Sequence, residues 1–220
     1  MAGPGATANA AITLLQAFTN GSAANYSITL ACVRDADGGA VTATTGGLSR
    51  QISMPLDSSV TCTWTNTPST PLTLVKLAIV QSDPINGVST PKAIPGAVVE
   101  YQLILTNPSS TSVDSGTLVV SDPVPAQVDM VVADIAGVAS GPVRFVDGTP
   151  SSGLTYTFSG LASTTDDVDF SDDGGASWTY VPTPDAGGRD PAVTDIRINP
   201  KGEFAGNNAQ FTLRFRVVIQ

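Results

Sequence analysis

Gln210-Phe-Thr-Leu-Arg-Phe-Arg-Val-Val-Ile219 spaces Phe211, Leu213, Phe215 and Val217 two apart, with Thr212, Arg214 and Arg216 between them. Side chains of an extended chain point alternately to opposite faces, so the run predicts a strand with one buried and one solvated side. Val98-Val-Glu-Tyr-Gln-Leu-Ile-Leu-Thr106 has the same form: Val99, Tyr101, Leu103 and Leu105 share a face, and Asn107-Pro108 ends the run. In the first third of the chain, Tyr26, Ile28, Leu30 and Cys32 line up, as do Val60, Cys62 and Trp64. Further strands are expected over Ala11 to Phe18, closed by the turn signal Asn20-Gly21, and over Leu48 to Met54, Leu72 to Lys76 and Thr117 to Ser121. Asp122-Pro-Val-Pro125 reads as a proline stop, and Gly137 to Ser152 and Thr183 to Asp195 read as long loops.

Composition agrees with this pattern. Charged residues make up 13% of the 220, and 21 Gly and 16 Pro accompany abundant Thr, Ser and Val, a profile of short strands joined by tight turns. A hydrophobic share of 41% is enough to build cores. Thr67-Pro-Ser-Thr-Pro71 separates two periodic stretches as a proline-stiffened connector, and Leu72-Thr-Leu-Val-Lys76 resembles Ile12-Thr-Leu-Leu-Gln16. The expected architecture is all-β, with two immunoglobulin-like β-sandwich domains in tandem over residues 1–70 and 71–220.

Cys32 and Cys62 both fall in strand-like runs. In a small extracellular domain such a pair forms one bridge; two buried free thiols are the alternative. Metal binding by two Cys in a chain without His is a poor reading.

A net charge of −9 with ten scattered Lys and Arg argues against a nucleic-acid partner and against an anionic membrane surface. No run approaches the roughly 18 apolar residues of a membrane-spanning helix. The absence of His rules out Ser-His-Asp and Cys-His arrangements, and no enzyme is expected.

Two stretches resemble known families. Cys62-Thr-Trp-Thr-Asn-Thr-Pro68 followed by Leu72-Thr-Leu-Val-Lys76 resembles the end of a prealbumin-like SpaA-type domain and the start of the next module of bacterial surface proteins. Pro95-Gly-Ala-Val-Val-Glu-Tyr-Gln-Leu-Ile-Leu-Thr-Asn107, with Val119-Val-Ser-Asp-Pro-Val-Pro125, is similar to the conserved-repeat domain of unknown function number eleven. The resemblance implies tandem immunoglobulin-like modules in secreted or surface-anchored proteins with stalk, adhesin or filament roles.

Ser171-Asp-Asp-Gly-Gly-Ala-Ser-Trp178 fits the Asp-box pattern through Ser171, Asp173, Gly175, Ser177 and Trp178. It resembles the hairpin-turn device of sialidases, which lies away from their active site. Asp173 is suited to accept turn amides, Gly175 to take a positive φ, and Trp178 to fold back on the hairpin. Sugar binding by Trp178 with Tyr180 is the other reading. Asp166, Asp167, Asp169 and Asp172 stand beside this turn as candidate calcium ligands, against a solvated acidic loop; no other cofactor is expected. Lys76 with Asn207 or Asn208, and Glu100 as the acid, has the residue types of an internal isopeptide bond.

The leading functional expectation is a subunit of an extracellular bacterial filament or surface assembly. It would polymerise with itself through a terminal strand carrying Ala11, Ile12, Leu14, Leu15 and Phe18. A monomeric stalk or adhesin fragment that meets a glycan or surface protein, and a calcium-dependent carbohydrate-binding module, are the alternatives.

Overall fold

The computed structural model describes residues 11–19, 22–44, 46–55, 58–69 and 72–220. Among them there is no α-helix, only a single 3-10 turn at Ala23–Asn25, and the chain is all-β. Chain contacts divide it into two compact units, Met1–Ser69 and Thr70–Gln220. The Asn20-Gly21 signal and the Thr70-Pro71 end of the connector lie outside the described residues.

The first unit holds β1 (Ala11–Leu15), β2 (Tyr26–Arg34), β3 (Ala40–Val41), β4 (Ser49–Ser53) and β5 (Val60–Pro68). β1 and β4 form a two-stranded antiparallel sheet, with register from Ala11 opposite Ser53 to Leu15 opposite Ser49. β2 is the middle strand of the second sheet, between β3 and β5. Its long ladder with β5 sets Cys32 directly opposite Cys62, and the two are joined as a disulfide. Cys32 and Ile52 are the fully buried apolar side chains among the described residues of this unit. So small a core leaves the cross-link a large part in holding the unit together.

One boundary differs from the sequence reading. The first strand stops at Leu15, and Phe18 lies beyond it with its ring 5.3 Å from that of Tyr26. Past Leu15 the half-buried side chains still alternate at Gln16 and Phe18, and one further bond, from the Gln16 amide to the Leu48 carbonyl, carries the contact with the β4 side a residue further.

The second unit is a β-sandwich built from β6 (Thr73–Ser82), β7 (Val98–Asn107), β8 (Val120–Pro123), β9 (Val128–Val131), β10 (Arg144–Asp147), β11 (Val168–Ser171), β12 (Arg189–Asp190), β13 (Asp195–Ile198) and β14 (Ala209–Ile219). One sheet runs β12-β9-β14-β7-β6, with β10 also on β14; the other runs β11-β13-β8. The two long alternating runs, β7 and β14, lie side by side from Ala209 opposite Asn107 to Val218 opposite Val98. Their inward faces supply Val99, Leu103, Leu105, Phe211, Leu213, Phe215 and Val217 to a core that Val120, Phe170, Ile196 and Ile198 close from the second sheet. Phe204 meets Phe211 edge to face at 5.2 Å.

The expected long loops are interrupted. Residues 137–152 contain β10, and residues 183–195 contain β12. Both strands are too short to show a period of their own, and pairing with β14 and β9 holds them extended. At the Pro-Gly turn before β7, Gly96 has φ +84°, and a Cβ there would stand 2.7 Å from Pro84 Cγ, so the turn requires glycine.

Candidate functional site

The Asp-box residues form one hydrogen-bonded turn at the end of β11. Ser171 donates its hydroxyl to Asp173 Oδ1 (2.7 Å), and Ser171 Oγ accepts the amide of Gly175 (2.9 Å). Asp173 Oδ1 also accepts the amide of Ser177 (2.8 Å). The Ser171 hydroxyl and the Ser177 amide hold the Asp173 carboxyl down at about 2, against its ordinary 3.8. Gly174 and Gly175 take φ +74° and +79°, which completes the reversal. Thr194 ties the turn to the start of the neighbouring strand β13: its hydroxyl accepts the Gly174 amide, and its own amide donates to the Ser171 carbonyl.

Trp178 folds against this turn. The Arg197 guanidinium sits 4.7 Å from the indole centre, and Asp169 receives Arg197 Nη2 at 2.8 Å and Nε at 3.1 Å. Tyr180 donates to Asp190 Oδ2 at 2.8 Å; burial first, and then that carboxylate, push its phenol up. Both aromatics proposed for sugar stacking are therefore engaged within the fold. The space beside them, lined by Leu161, Ser163, Phe170, Trp178 and Tyr180, is about 20 Å³, near the size of one water. Pockets that enclose a small-molecule ligand measure roughly 300–1,000 Å³.

The four acidic candidates for calcium point to separate tasks. Asp166 accepts the amide of Ser159, and buried Asp167 accepts the amide and hydroxyl of Thr157 while Lys201 Nζ stands 3.4 Å from its other oxygen. Asp169 faces Arg197, and Asp172 is exposed. Asp169 is the one of the four that lies within β11, and no cluster of three or more metal-ligating side chains exists among the described residues.

The isopeptide grouping is not assembled. Lys76 puts Nζ 2.7 Å from Asp122, while Glu100 meets Arg216 at 3.4 Å and Arg214 at 3.5 Å. Asn207 and Asn208 sit in the turn before β14, close to Asn107 and Ser109 rather than to Lys76. Asp122, read from sequence as part of a proline stop, is instead the buried cross-sheet partner of Lys76. A contact between residues 46 positions apart leaves no local signal.

Two strands, β1 and β6, pair on one side alone among the described residues. β1 pairs with β4 alone among the described residues, and Leu15 is 76% exposed. β6 is an edge strand whose Leu74, Val75, Leu77 and Ile79 are all exposed.

No family model, curated protein or solved structure matches the chain.

Proposed function

We propose that the chain is a secreted, non-enzymatic structural subunit that assembles with further copies of itself by donating β1. The observation that carries this reading is the weak hold on β1: one five-residue ladder to β4, and apolar side chains at Ile12 and Leu15 left in solvent. A strand so placed loses little when it leaves its unit, and it regains main-chain hydrogen bonds and apolar cover on a neighbour's sheet. Repetition of that step head to tail gives an open polymer.

Support for secretion comes from the Cys32–Cys62 bridge, since disulfides persist in oxidising compartments. No helix among the described residues is long and apolar enough to cross a membrane, which is compatible with export. The resemblance to conserved-repeat modules points to a bacterial surface setting. Support for a non-enzymatic role is that Asp166, Asp167, Asp169 and Asp173 are each bound to a backbone amide or a cation, and that the chain has no His.

The experiment is negative-stain microscopy of the purified chain beside a variant lacking residues 1–18 and a full-length Ile12→Asp/Leu15→Asp variant. Polymers from the parent that both variants fail to form support strand donation. Polymers that persist in either variant overturn it, and an absence of polymers in the parent favours the monomeric stalk.

A further inference from the structure

We infer that the free edge of β6 pairs with β6 of a second copy, antiparallel across a two-fold axis at Leu77. This contact goes beyond donation of β1, because a different strand carries it and it joins exactly two chains instead of propagating.

The first observation is a missing defence. Long edge strands in soluble proteins carry outward charges, prolines or bulges that discourage pairing. β6 spans ten residues, Thr-Leu-Val-Lys-Leu-Ala-Ile-Val-Gln-Ser, with no proline, and its one irregularity lies at the far end between Val80 and Ser82. Its only charge, Lys76, stands opposite core residue Leu103 and is tied to Asp122, so it does not guard the edge. The other edges of this unit are short: β12 has two residues, β8 has four and includes Pro123, and β10 and β11 have four each.

The second observation is self-complementarity. Val75, Leu77 and Ile79 stand opposite Ile104, Gln102 and Glu100 on the outer face of the sheet, and they are 51%, 42% and 39% exposed. A two-fold axis at Leu77 sets Val75 against Ile79 of the second copy, Leu77 against Leu77, and Ile79 against Val75. On the inner face it sets Leu74 against Val80 and Lys76 against Ala78. Every outer residue from 75 to 79 then meets an apolar partner, and no two ammonium groups oppose one another. This self-match selects a second copy over an unrelated partner, in spite of the net charge of −9, because no carboxylate lies on the strand itself.

The register makes a sharp test. Directly opposed residues of an antiparallel pair have Cα atoms roughly 4.5–5.5 Å apart, within the span of a disulfide, and residues four positions out of register are far beyond it. Cys32 and Cys62 are already bridged and do not compete. In the full chain under mild oxidation, Leu77→Cys should give a covalent dimer on non-reducing gels, and Val75→Cys should not. Leu77→Lys, which sets two ammonium groups across the axis, should weaken the dimer at least roughly tenfold by sedimentation equilibrium. Deletion of residues 1–18 should leave it intact, which separates this contact from strand donation. The proposal is overturned if Leu77→Cys stays monomeric, if Val75→Cys cross-links equally well, or if Leu77→Lys dimerises like the parent.

Discussion

Lys76 on β6 and Asp122 on β8 meet across the two sheets of the second unit, with Nζ 2.7 Å from both carboxylate oxygens and 4.3 Å from the centre of the Tyr101 ring. The lysine side chain is 36% exposed and the aspartate 10%, so the pair lies between a surface bridge and a buried one. Loss of the lysine would leave a nearly buried carboxylate with no cation. Lys76→Met should therefore destabilise the second unit by about 1–3 kcal/mol, less than a fully buried pair would cost. Lys76→Met combined with Asp122→Leu should recover most of that loss, measured by guanidinium denaturation. Equal loss in the single and double variants would show that the pair is not what matters.

The first unit depends on its cross-link. Closing a loop with a sequence separation of 30 contributes roughly 3 to 4 kcal/mol in the chain-entropy view. Beside it, among the described residues, stands a small core around Ile52 and Cys32. Cys32→Ala/Cys62→Ala should remove one calorimetric transition or shift it strongly downward, and the transition of the second unit should stay in place. A variant that melts like the parent would contradict this.

Acid should loosen the Asp-box turn over a defined window. Asp173 titrates at about 2 in the folded chain against 3.8 ordinarily, so the folded state favours the ionised carboxylate. Its contribution is complete above pH 3.8 and disappears as the pH falls through about 2. Asp173→Asn should accordingly be less stable than the parent at neutral pH, and the gap should close across that window in denaturation midpoints. A gap independent of pH would mean that the carboxylate charge has no part in the turn.

Calcium should make no difference. Asp167 and Asp169 already face Lys201 and Arg197, and Asp166 accepts a backbone amide. Thermal melts with calcium and with chelator should superimpose, since a ligand that binds the folded state raises its melting temperature. A rise with calcium would restore the acidic run as a metal site.

How much the sequence discloses depends on which neighbour shapes a residue's position. β7 and β14 are legible because a central strand with one side on the core must alternate: Val99, Leu103, Leu105, Phe211, Leu213, Phe215 and Val217 are buried on the face that the spacing predicts, whereas Tyr101 is half-buried and Glu100 is buried on the other face beside Arg214 and Arg216. β11 also alternates, with Val168 and Phe170 buried and Asp169 half out, but the density of Asp around it suggests a solvated loop. β12 consists of Arg189 and Asp190, a length at which periodicity has no meaning. The Asp-box was readable because its bonds are local, spanning Ser171 to Trp178. Arg197 against Trp178 and Asp122 under Lys76 were not, because sheet packing sets those pairs and sequence distance hides them.

If copies of this chain meet through the unprotected strands β1 and β6, their association must depend on concentration. Sedimentation velocity of the pure, oxidised protein from dilute to concentrated solution reads that dependence. The weight-average mass should climb above 22.4 kDa as concentration rises. A single species of 22.4 kDa at every concentration would contradict it.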